Sequence, residues 1–265
     1  MIIEKLFARI PLFLLPFLLP HKFVLYGHLI GDFNHPIRAR FRYPTYGEFD
    51  LFISFLHKHN YSFVPFNEYF KNDNRKKVLL TLDDGYKEIF DCIQPFLKLR
   101  KIPYSIFIMT EPFENPYFLI KTIGNDTLNK SRRFVNEDEI KALKANGVHI
   151  GFHTRTHFRI DTELNNSIEK EIYFDKKYAA LFSQPLAFSY PWSAPIDYST
   201  VDMCIEGKGY KYIFDTKGYF ASVNNHIFRI PMDIDNNINC NNCLLYNIKR
   251  YAGLNLLWQL LGHKG

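Results

Sequence analysis

Lys77-Val78-Leu79-Leu80-Thr81-Leu82-Asp83-Asp84-Gly85 is the stretch whose reading decides the fold. A near-continuous apolar run after basic residues is the pattern of a strand buried on both faces, as in parallel sheets covered by helices. The run ends in two carboxylates and a glycine. In such sheets and barrels, functional groups gather at the C-terminal ends of strands. Adjacent carboxylates there need something cationic beside them, and Gly85 permits the sharp turn that aims both inward. Alone, an Asp-Gly turn is ordinary.

Working outward, Phe49, Phe52, Ile53 and Leu56 have helical spacing within 46–59, and a short strand follows at 61–64. Residues 86–100 restore the helical period, and 104–109 is again β-rich. Asn136 and Glu139 form a capping-box pattern that opens a helix closed by Gly147. Residues 148–152 read as the next strand. Asp161 is expected to cap a long helix to about Phe182, with strands at 186–190, 210–214 and 227–230 and a helix at 201–205. The alternation predicts an α/β fold, a parallel sheet with helices outside, open or closed into a barrel.

Of 265 residues, 47% are hydrophobic and 23% charged, which excludes disordered and collagen-like classes. The formal net charge is +6, with the basic residues scattered, so no dense stripe marks a nucleic-acid surface and no nucleic-acid partner is expected. Four cysteines include the pair Cys240 and Cys243 at metal or redox spacing. With no second such pair, they read as reduced thiols at a helix start.

A second strand mouth carries chemistry. The strand ending at Phe152 runs into His153-Thr154-Arg155-Thr156-His157. Two histidines four apart can present both imidazoles to one point. With one carboxylate they make a three-ligand metal set that leaves positions for water and substrate.

The segments Thr81-Leu82-Asp83-Asp84-Gly85 and His153-Thr154-Arg155-Thr156-His157 resemble the first two motifs of the polysaccharide deacetylases, carbohydrate esterase family 4. Phe188-Ser189-Tyr190-Pro191-Trp192-Ser193 resembles the third motif in a branch with a Y-P-Y-G pattern, and Tyr26-Gly27-His28-Leu29-Ile30 is similar to that branch's opening strand. The resemblance implies a distorted, partly incomplete (β/α)7-type barrel and hydrolysis of the N-acetyl group of an amino sugar. By matched position, Asp84, His153 and His157 would bind a divalent metal, zinc by expectation, and Asp83 would be the general base. Tyr190, Pro191 and Trp192 would hold substrate and the oxyanion. Two departures stand out: Ser189 replaces the arginine that braces the base, and the late L-x-H histidine is absent. His28 and His226 are the two candidates for the missing acid.

Residues 6–20 form the one strongly apolar run, too short and too proline-rich to span a bilayer, and no cleavage site follows it. Residues 241–261 repeat the theme with a wide apolar face. The division expected is 1–25 as an apolar segment in the core or at a membrane interface, 26–235 as the barrel, and 236–265 as an amphipathic C-terminal helix. Expected placement is cytoplasmic, peripheral on the inner face of the membrane, with an envelope glycan or lipid-linked sugar as substrate. A degenerate deacetylase that binds glycan or a partner without turnover, and a different metal-dependent amide hydrolase, are the competing readings.

Overall fold

Strand pairing follows chain order around a ring. In a computed structural model that describes residues 7–118, 133–160, 166–192, 199–216 and 226–260, the strands are β1 (Lys22–Gly27), β2 (Phe41–Arg42), β3 (Tyr61–Phe63), β4 (Lys76–Leu82), β5 (Ser105–Ile108), β6 (His149–Phe152), β7 (Ala187–Ser189), β8 (Tyr212–Asp215), β9 (His226–Pro231) and β10 (Ile234–Asp235). Strands β4 through β9 pair as successive parallel neighbours, β9 pairs with β1, and β1 returns to β4, so seven strands close a barrel. Short β3 joins the start of β4, while β2 and β10 pair antiparallel outside the ring. This is the distorted (β/α)7-type barrel expected, thinnest between β6 and β7, where Phe152 pairs with Phe188.

Both faces of β4 are buried from Lys77 onward. Val78, Leu80 and Leu82 belong to the large outer core under the helices, whereas Leu79 joins Val24, Phe107, Ala187 and Phe214 inside the barrel. Thr81 and Asp83 follow the period of Leu79 and also face inward. The β1–β4 register sets Gly27 level with Leu82, and the Asp83 N–H donates to the Gly27 carbonyl at 2.9 Å. The next residue on β1's side, His28, thereby arrives beside the aspartates.

The helices that cover the barrel are α1 (Tyr46–Lys58), α2 (Gln94–Leu99), α3 (Glu137–Ala145), α4 (Ser199–Gly207) and α5 (Cys243–Leu260). Thr45 and Glu48 cap α1, which buries the predicted Phe49, Phe52, Ile53 and Leu56. Asn136 and Glu139 cap α3, and Gly147 follows its end at φ +84°. The long helix expected from Asp161 to Phe182 does not form: Asp161 lies outside the described residues, and the remainder is a short helix, Asn166–Glu171, then a 3-10 turn, Lys176–Leu181. Phe174 leaves the helical path to stack on Phe182 at 4.2 Å, and Asp175 caps the 3-10 turn.

At the termini, Leu15 and Leu19 are buried, and the Leu15–Leu18 turn packs on α5. Phe7 lies against Gly253, where a Cβ would come within 2.3 Å of its ring. Leu12, Phe13, Leu14 and Phe17 remain exposed. Strand β1 starts at Lys22, inside the segment expected to precede the barrel. No helix among the described residues is long and apolar enough to cross a membrane. Cys243 is buried at the start of α5, its thiol 3.8 Å from Glu48.

Removing the α3 cap with Asn136→Ala should lower stability by about 1 kcal/mol, seen as a Tm decrease of about 2–4 °C. Metal affinity, measured by titration of the apoprotein, should be unchanged.

Candidate metal centre and active site

Each group of the site stands just past a strand's end or in its last turns, at one mouth of the barrel. Asp83 and Asp84 follow β4, His153 and His157 follow β6, Trp192 follows β7, Thr216 follows β8 and His28 follows β1. They line one cavity with Tyr26, Arg40, Phe41 and Tyr86. The backbone there is strained in a consistent way. Asp84 and Gly85 take consecutive φ values of +71° and +73°, and Thr154, His157 and Trp192 are also left-handed. Such conformations in non-glycine residues cost of order 1–3 kcal/mol each and cluster at sites whose surroundings enforce them.

Asp84, His153 and His157 each offer a ligand atom, all within 4.8 Å of one another. The Asp84 Oδ1 atom lies 3.4 Å from His153 Nε2 and 3.2 Å from His157 Nε2. Although buried, that oxygen makes no hydrogen bond. An orphaned carboxylate oxygen facing two imidazole nitrogens is the arrangement a cation would satisfy, and two His with one Asp suit a divalent ion. His153 Nδ1 donates to the Ser189 carbonyl at 2.8 Å, which turns Nε2 toward the shared point. Burial raises the Asp84 carboxyl, but the facing His157 and His153, with His28, hold it well below the usual range.

Asp83 is held differently. Arg229 of β9, fully buried, forks onto both its oxygens, Nη1 to Oδ1 at 2.7 Å and Nη2 to Oδ2 at 2.8 Å. The same guanidinium donates to Ser189 Oγ at 2.7 Å and Thr81 Oγ1 at 3.2 Å, and lies over the Tyr26 ring at 4.5 Å. Burial works to raise the Asp83 pKa; Arg229 and then His153 more than offset it, so Asp83 is an ionised carboxylate.

His28 also reaches the aspartates. Its Nδ1 is 2.5 Å from Asp233 Oδ2, and its Nε2 is 3.8 Å from Asp84 Oδ2. Burial pulls its pKa down, yet the bond to Asp233 and the charge of Asp84 raise it to about 9. Phe41 stacks on its ring, 5.8 Å between centroids.

The structure does not bring the other predicted residues to this cavity. His226 is the first residue of β9 rather than the last, and is fully buried between Asp202 (2.6 Å) and Asp215 (3.5 Å), so it cannot meet substrate. Tyr190 also points into the shell of the protein: its ring is buried and its hydroxyl donates to Asp202 Oδ1 at 2.6 Å. Pro191 is buried and lines no part of the cavity, which leaves Trp192 of that motif. Arg229, Asp233 and Arg40 were missed. A signal existed for the first: an arginine inside the apolar run Ile227-Phe228-Arg229-Ile230 must find a buried carboxylate.

The family model described as polysaccharide deacetylase matches residues 70–203, half of the chain. No curated protein sequence matches it. Among solved structures, a deacetylase of Streptococcus pyogenes, PplD in complex with acetate, is similar at 19% identity and TM-score 0.64, over 89% of this chain and 96% of that one. A de-N-acetylase from Aggregatibacter actinomycetemcomitans is similar at 16% identity and TM-score 0.62, over 85% and 99%. IcaB from Ammonifex degensii follows at 16% and 0.59, over 88% and 100%. At these identities the likeness is one of fold.

Replacing Arg229 with Met strands a buried carboxylate and should cost about 3–5 kcal/mol in denaturant unfolding. Combining it with Asp83→Asn should recover part of that loss, giving a favourable coupling in the double-mutant cycle.

Proposed function

The chain belongs to the polysaccharide deacetylase family, metal-dependent enzymes that remove N-acetyl groups from sugars, and from that premise we propose how its residues divide the reaction. Asp83 is the general base, His28 the general acid, and Asp84, His153 and His157 would hold a divalent metal, zinc in this reading. The observation that carries this reading is a pair of separately anchored groups in the cavity of the ligand triad: Asp83 fixed by Arg229, and His28 fixed by Asp233. When bound, the cation lowers the pKa of water to about 7 and polarises the acetyl carbonyl.

Asp83, ionised, takes the proton of the attacking water as oxygen adds to the acetamide carbon. Arg229 keeps the carboxylate aimed and charged throughout. The loop carrying Trp192, in its left-handed turn, offers backbone N–H to the developing oxyanion. His28 Nε2 then protonates the departing nitrogen as the C–N bond breaks, leaving acetate and a free amine. Asp233 on Nδ1 stabilises the imidazolium that donates.

This arrangement answers the two departures that favoured a non-catalytic reading. The brace missing at Ser189 is supplied by Arg229, whose Nη2 donates to the serine hydroxyl. An acid missing late in the chain stands at residue 28. A peripheral membrane contact is a separate proposal, supported by the exposed Leu12, Phe13, Leu14 and Phe17. That segment leads into β1 at the end of the barrel opposite the cavity, so such a contact presents the mouth to solution rather than to lipid.

Acetate release from N-acetylated sugars should fall at least 10³-fold in Asp83→Asn with the metal retained, and about 10²-fold or more in His28→Gln. Asp84→Ala should lose the metal, read by elemental analysis. Near-full turnover of metal-loaded Asp83→Asn would overturn the assignment. For the membrane contact, Phe13→Ser with Phe17→Ser should reduce flotation with anionic vesicles; unchanged flotation would rule out this segment as the anchor.

A further inference from the structure

The loop that joins β1 to β2 carries three alternating arginines, Arg38, Arg40 and Arg42, just before and within β2. Two of them serve the fold. Arg38 donates to the Gly31 carbonyl at 3.2 Å and lies over the Tyr43 ring. Arg42 donates to the Cys240 carbonyl and pairs with Glu48. Arg40 does neither. Its guanidinium carbon sits 4.5 Å from the Trp192 ring centroid and 5.0 Å from that of Phe41, on the wall of the catalytic cavity. No carboxylate among the described residues forms an ion pair with it.

We propose that Arg40, stacked at the cavity mouth on Trp192 and Phe41, is a subsite for an anionic group, so that the sugar deacetylated here carries a phosphate or a carboxylate close to its acetamide. The inference rests on the deacetylase reading and goes beyond it by naming a property of the substrate. Stacking holds a guanidinium by its faces and leaves its N–H donors in the ring plane free for a ligand. Those donors form a planar fork that matches phosphate and carboxylate oxygens bidentately. The cavity's own anions do not compete for it: Asp83 is taken by Arg229, Asp84 faces two imidazoles, and Asp233 is on His28. Backbone bonds anchor the main chain at this residue, Arg40 N–H to the Ile37 carbonyl at 2.9 Å and the Asn236 N–H to the Arg40 carbonyl at 3.4 Å, and the two rings flank the side chain. Phe41 touches both groups, its ring centroid 5.0 Å from the Arg40 guanidinium and 5.8 Å from the His28 ring, and all three line the same cavity.

The test compares acetate release from a neutral N-acetylglucosamine oligomer, N-acetylglucosamine 1-phosphate and N-acetylmuramic acid, in the native enzyme, Arg40→Gln and Arg40→Lys. The native enzyme should favour at least one anionic sugar about tenfold or more in kcat/KM, mainly through KM. That ratio should collapse toward one in Arg40→Gln and be intermediate in Arg40→Lys; the two anions separate phosphate from carboxylate recognition. A native ratio near one for both anions, or a ratio that survives Arg40→Gln, would overturn the proposal. Failure of every sugar to release acetate would count against the deacetylase reading instead. In that event binding decides the subsite, because Arg40 touches Trp192 and the other tryptophan, Trp258, can be replaced by Phe. Saturable change of Trp192 fluorescence with glucosamine 1-phosphate but not glucosamine, lost in Arg40→Gln, supports it; equal responses to both overturn it.

Discussion

A fully buried guanidinium must be matched by a carboxylate, and the Arg229–Asp83 pair is where this barrel meets that requirement. Desolvating two charges is expensive, and the geometry that offsets it has to be good. Here it is bidentate, with further bonds to Ser189 and Thr81 and aromatic rings on the guanidinium's faces. The contacts draw β4, β7 and β9 together across the interior. They also leave Asp83 in one orientation, ionised, beside a cluster of imidazoles. A structural solution to a buried charge and the aiming of the proposed base are thus one interaction.

The neighbouring aspartate is given the opposite treatment. Asp84 turns out of the strand through a left-handed step that Gly85 continues, and presents an unbonded oxygen to His153 and His157. The same strand, β7, serves both carboxylates: the Ser189 hydroxyl accepts from Arg229, while its carbonyl orients His153. Adjacent residues of identical chemistry therefore acquire different tasks from their partners alone.

Much of this could be read before any coordinates. The strand ending in Asp83-Asp84-Gly85 and the histidine pair after β6 were legible because burial and ligand spacing leave strong local marks. Helix α1 and the cap of α3 were legible for the same reason. Non-local features were not. The helix expected from Asp161 gave way after Glu171, where Phe174 packs on Phe182, a contact that helical periodicity does not reveal. Whether the sheet closed depended on β1 meeting β4, a contact that no local pattern encodes. His226 was misread since a histidine's partners, here Asp202 and Asp215, come from other elements. Asp233 was missed for the same cause: its partner, His28, lies 205 residues away in sequence.

The account turns on Asp84, His153 and His157 closing around one ion with Asp83 beside it. Anomalous diffraction from crystals of metal-loaded protein, measured on either side of the zinc absorption edge, tests this most directly. A single strong peak about 2.0–2.2 Å from Asp84 oxygen and from the Nε2 atoms of both histidines is the predicted result. A peak held by other residues, or none in crystals of protein that carries zinc in solution, would contradict it.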